Sequence, residues 1–135
     1  MYQGTSDDVT RYIGARAALE WRQWIGGEEK IAAHTHGLAT KACDYLSKLW
    51  GGTRTLSPSV QGNMCNVELP CKDKCPPMLG YSLYHKYDFY APFFGWAKST
   101  WARLTCTVYN EMADIELVGK AVLKELAHEL AELEA

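Results

Sequence analysis

The chain has 135 residues, 47% apolar and 22% charged, with a formal net charge of −2. That is the size and make-up of one ordinary globular domain with a single core. No basic block is present to meet nucleic acid, no apolar run of about 18 residues to cross a membrane, and "MYQGTSDDVT" carries no apolar leader. The five cysteines are an odd number. Without a secretory signal they read as reduced thiols, and the location as cytoplasmic.

Residues Thr5 to Asp8 form a polar lead-in with good N-cap choices in Thr5, Ser6 and Asp7. A first helix is predicted from about Val9 to Ile25, with Ile13, Ala17, Trp21 and Trp24 near one face, stopped by Gly26-Gly27. A second is predicted from about Glu28 to Trp50, with its stripe at Ile31, Leu38, Ala42, Tyr45 and Leu49. Gly51-Gly52 ends it, and "TRTLSPSVQG" is a loop of turn formers. "NMCNVELP" reads as a short strand and "CKDKCPP" as a polar connection. Met78 to Tyr87 is a third helix weakened by Gly80. "DFYAPFFGW" is extended, and Pro92 places it at a sheet edge or interrupts it. "AKST" is a turn.

The next strand carries the chemistry. Ala102, Leu104, Cys106 and Val108 alternate with Arg103, Thr105, Thr107 and Tyr109, so the second set shares one polar face. A sheet is a rigid platform for a guanidinium, which grips a carboxylate through two parallel hydrogen bonds. The bland alternative for Arg103 is an ordinary surface ion pair. Asn110 ends the strand. Ile115, Val118, Val122, Leu126 and Leu130 then recur at helical spacing, with Asp114 in the first turn. Helices followed by strands interleaved with helices predict an α+β fold, helices on a small, mainly antiparallel sheet, in one domain over residues 1–135.

Other candidates are weaker. Cys71 and Cys75, with Cys65 near, lack the second pair of ligands a zinc site needs. His34 and His36, two residues apart on a helix, point to different faces, so no metal site is expected. The dyad His85-Lys86 suggests Schiff-base chemistry, but adjacent helical side chains do not converge. The tail "KELAHELAELEA" is a packing helix with a wet face, or a surface for a partner chain.

"QGTSDD", the long helix around "IGGEEKI", and above all "ARLTCTVYNEMADIE" resemble the C-terminal part of class V aminotransferase-like enzymes. The nearest branch is the isopenicillin N epimerase-like group, with its cysteine desulfhydrases and ergothioneine sulfoxide lyases. The resemblance runs from Gly4 to the last helix. It rests on Arg103, Leu104, Thr105, the pair Tyr109-Asn110, and Asp114-Ile115. It implies the small C-terminal domain of a fold-type I pyridoxal phosphate enzyme, with Arg103 holding the α-carboxylate of an amino-acid substrate. The Gly-Thr-x-Asp lead-in implies that Gly4 and Thr5 lie near the cofactor phosphate, a role that suits free amides at a helix start.

The family's cofactor-binding lysine and large domain would lie before Gly4, and no lysine here sits in a matching pattern. The family's proline after the Gly-Thr-x-Asp motif is also missing from "RYIGARAAL". The resemblance therefore implies a detached small domain: no catalytic residue of its own, no covalently held cofactor, and no activity alone. It implies work with a missing large domain or as a homodimer, without nucleic acid or membrane. The alternative is an interaction module that keeps the fold and binds a partner through surfaces such as Trp21, Trp24, Trp96 and Trp101.

Overall fold

The computed structural model describes residues 10–133. Gly4 and Thr5 lie outside the described residues. Two compact units are present, Met1–Ala33 and His34–Ala135.

Within the first unit, helix α1 spans Thr10–Trp24. Arg16 and Glu20 pair at 2.8 Å, one helical turn apart. Ile13, Leu19, Trp21 and Trp24 are all exposed, so the apolar residues of this helix are not core residues. Gly26 and Gly27 have φ of 129° and 81°, values that glycine alone adopts freely, and this is why the helix breaks there. The Arg22 guanidinium grips both carboxylate oxygens of Glu28 across the break.

Helix α2 spans Gly27–Trp50 and ends at Gly51, whose φ of 68° gives the usual left-handed stop. In the second unit, strand β1 covers Met64–Glu68, helix α3 Leu79–Tyr87, strand β2 Phe93–Trp96, strand β3 Ser99–Thr105 and helix α4 Met112–Leu133. The sheet order is β1-β3-β2, antiparallel throughout, with Cys65 opposite Leu104, Asn66 opposite Arg103 and Phe93 opposite Ala102. Among the described residues, this is the helix-plus-small-sheet α+β architecture expected from the sequence.

The core lies on one face of the sheet. Cys65, Val67, Ala102 and Leu104 meet Leu38, Ala42 and Leu46 of α2, Leu79 and Leu83 of α3, and Ile115, Val122 and Leu126 of α4. At about 25 cal/mol per Å² of apolar surface removed from water, this layer is the main source of stability. α4 approaches α2 closely at Gly119. A methyl there would lie 2.8 Å from Leu49 Cδ2 and 2.9 Å from Leu46 Cδ2. Trp50 Nε1–H donates to the Gly119 carbonyl at 3.1 Å and locks the crossing.

Four details depart from the sequence reading. β3 starts two residues early, because Ala97 and Lys98, at φ of 51° and 60°, make a two-residue turn whose twist suits a hairpin. β3 also ends at Thr105. Beyond it, Asn110 Oδ1 accepts from the Thr107 N–H at 3.0 Å and the Thr107 hydroxyl at 2.6 Å, so a side chain replaces the ladder. Trp101 is buried: its Nε1–H donates to the Trp96 carbonyl at 2.9 Å and the two rings meet edge-on. Cys71 and Cys75 form a disulfide rather than two free thiols, because the 3₁₀ turn Lys72–Lys74 brings their Cα atoms to 4.8 Å.

Cys43, Cys65 and Cys106 are free and buried. Burial pushes the Cys106 thiol up to about 11. Donation to Cys43, together with burial, pushes the Cys65 thiol up as well. Among the described residues no helix is long and apolar enough to cross a membrane, and no three His, Cys, Asp or Glu side chains cluster as metal ligands.

Candidate functional site

β3 presents Arg103 on the face away from the core, alternating with buried Ala102 and Leu104 as the period of two requires. The backbone here is rigid. Arg103 pairs with Asn66 of β1, and its N–H donates to the Pro92 carbonyl at 3.0 Å. Pro92 has no N–H to return, so β2 starts only at the next residue. The edge of β3 past this point is open.

A cleft of about 680 Å³ occupies that opening. Three stretches wall it. One is the segment Tyr87 to Pro92 at and beyond the end of α3, the second is Arg103 to Thr105 on β3, and the third is Tyr109 and Asn110 with the first turns of α4. Arg103, Thr105 and Tyr109, which the alternation placed on one polar face, all line it. Cavities of this size with aromatic walls and a few charged groups are the usual form of small-molecule sites.

The rim is held by local hydrogen bonds. Asn110 Nδ2 reaches Asp114 Oδ2 at 3.4 Å, and that oxygen also accepts from the Glu111 N–H at 2.9 Å. The second bond is half of a capping box at the start of α4, with the carboxylate where the helix dipole favours it. His34 of α2 donates Nε2–H to the Asn110 carbonyl at 3.1 Å. The Tyr-Asn pair is thus fixed from three sides, and Tyr109 stands exposed at the mouth.

Arg103 differs from the other described arginines. Arg16, Arg22 and Arg54 each hold a carboxylate. Among the described residues the Arg103 side chain holds none, so the surface ion pair that would have explained it is not made. A guanidinium left open on a strand beside a cleft keeps the donors that could grip an anion through two parallel hydrogen bonds.

The remaining candidates fall elsewhere. His34 and His36 reach separate carbonyls, of Asn110 and Pro58. His85 packs against the rings of Tyr81 and Tyr84, whereas Lys86 pairs with Glu125 at 2.5 Å, so the two side chains diverge. Glu125, on what the charge pattern suggested was a wet helix, is 2% exposed. The sequence reading recognised "DFYAPFFGW" as an extended aromatic segment but did not assign Asp88 or its aromatic neighbours to the site, where they form one wall of the cleft. Their signal was the helix stop at Asp88, φ 55°, an αL cap that aspartate tolerates better than most residues.

No family model matches the chain. It is 30% identical over 115 residues to the hercynylcysteine sulfoxide lyase of Schizosaccharomyces pombe, an alignment that covers 85% of this chain and 29% of that protein. The chain is therefore a partial homologue of a sulfoxide lyase, and it spans less than a third of that relative's length.

Proposed function

We propose that this chain is the substrate-carboxylate-binding part of a pyridoxal-phosphate-dependent lyase or epimerase acting on an amino acid, with C–S cleavage the closest match, and that it is inactive alone. The observation that carries the reading is Arg103: paired on β3, lining a cleft, and holding no carboxylate among the described residues. The homology to a sulfoxide lyase supports the reaction class.

In this reading Arg103 grips the α-carboxylate through two parallel hydrogen bonds and fixes the orientation of the reacting bond. The aromatic walls exclude water from one side of the bound molecule. The Thr107–Asn110–Asp114 bonds hold Tyr109 and the rim in place. Pyridoxal phosphate, where bound, supplies the electron sink. The cleft itself does not suit that cofactor. Its described lining has no lysine to hold the aldehyde, and Lys86, just before Tyr87, is engaged by Glu125. The amine is assigned to a separate large domain, on this polypeptide or a partner chain.

The test is a pair of measurements on the purified chain. Titration with sodium propionate, followed by ¹⁵N NMR, is expected to move the Arg103 Nε–H resonance saturably, and Arg103→Gln to abolish saturable propionate binding. An unmoved Arg103 signal sinks the carboxylate role. Release of pyruvate or ammonia from a cysteine S-conjugate after adding pyridoxal phosphate sinks the inactivity.

A further inference from the structure

A second unpartnered charge lines the same cleft. Asp88 sits at the end of α3 in the left-handed conformation, its N–H donating to the Tyr84 carbonyl at 3.1 Å. Its carboxylate makes no ion pair or side-chain hydrogen bond among the described residues. Asp88 and Arg103 both wall the cleft, yet they are not paired with each other. The other carboxylate of the cleft, Asp114, is occupied by Asn110 and by the Glu111 amide.

Two opposite charges that line one cavity and stay apart make a dipolar site. In water such side chains gain little from each other across a gap, but a ligand with matching poles satisfies both at once. The surroundings of Asp88 favour a cation further. Tyr87, Phe89 and Tyr90 flank it in sequence and line the same wall, and aromatic faces attract ammonium groups.

We infer that Asp88 is a specificity-determining residue of this cleft: it selects a ligand that carries a cationic group several bonds from the carboxylate held by Arg103. This rests on the carboxylate-site reading above. In an amino-acid substrate, the group read by Asp88 belongs to the side chain rather than the α-position.

The test uses matched pairs of probes on the full chain: propionate with β-alanine, butyrate with 4-aminobutyrate, and hexanoate with 6-aminohexanoate, each titrated by ¹⁵N NMR. At low salt, at least one ammonium-bearing probe is expected to bind about two- to fivefold more tightly than its plain partner, the range of a solvent-exposed ion pair. Asp88→Asn keeps the shape and tolerates the αL backbone. It should erase the preference without weakening binding of the plain carboxylates, because it removes a like charge from the cleft. Equal affinities across every pair, or a preference that survives in Asp88→Asn, overturns the inference while leaving Arg103 as a carboxylate site. Absence of binding by every probe overturns both.

Discussion

Arg54 and Arg103 flank the same strand and have opposite fates. Arg54 bridges to Val67 of β1, and Arg103 pairs with Asn66, one residue away. Every side-chain nitrogen of Arg54 is used: Nε donates to the Leu56 carbonyl at 2.8 Å, one terminal nitrogen to Asp44 at 2.5 Å, and the other to Gln61 at 2.7 Å. Arg103 uses none. An arginine whose donors are all consumed holds a loop to the fold. One whose donors are all open contributes little to the fold and has its binding capacity left for a ligand. Residue type is the same in both places; the difference lies in what the chain brings beside it.

The Arg54 corner should therefore be fragile and the Arg103 cleft tolerant. Arg54→Ala is expected to have the largest effect. It strips charge-assisted bonds from Asp44 and from buried Gln61, a loss of about 3 kcal/mol in chemical denaturation. A loss below about 0.5 kcal/mol would remove the contrast. In the same corner, Gly52 lies so close to β1 that a methyl would stand 2.1 Å from the Glu68 carbonyl oxygen. Backbone cannot yield cheaply, so Gly52→Ala should cost about 2 kcal/mol and lower the melting temperature.

Glu68 offers a finer probe of that corner. Ser99 and Thr53 donate their hydroxyls to its carboxylate and hold its pKa below the usual carboxylate range. Because the folded value is depressed, the stabilisation is present above the unfolded carboxylate value of about 4.3 and is lost as pH falls through the folded value. Wild type should exceed Ser99→Ala in stability at neutral pH, and the gap should close on acidification. A gap that stays constant from neutral to acid pH would show that the Ser99 bond does not act through the ionised form.

The smallest effect on folding is expected at Arg103. Arg103→Gln should change the unfolding free energy by less than about 0.5 kcal/mol while abolishing carboxylate binding. A large loss of stability would mean that Arg103 holds the fold after all, and the comparison with Arg54 would collapse.

Much of this was legible in the chain. Glycine pairs and periodicity located the break between α1 and α2 and the end of α2 to within a residue or two, since helix starts and stops are local events. The alternation around Arg103 correctly assigned Ala102, Leu104 and Cys106 to the core and Arg103 and Thr105 to the other face. Trp101 was misplaced because its burial depends on Trp96, which returns across a hairpin that short-range patterns do not describe. The disulfide was missed because the distance between Cys71 and Cys75 depends on the turn between them.

The sequence by itself determined the helices, the polar face of β3 and the rigid placement of Arg103, because each follows from backbone geometry repeated over neighbouring residues. The partners of the charged side chains were decided only in three dimensions. The closing of Arg54 by Asp44 and Gln61, the burial of Glu125 on Lys86, and the meeting of Arg103 and Asp88 in one cleft join residues from separate elements. Coulombic and hydrogen-bond energies fall off over a few ångströms, so which charges are satisfied is a property of the packed fold and not of the order of residues.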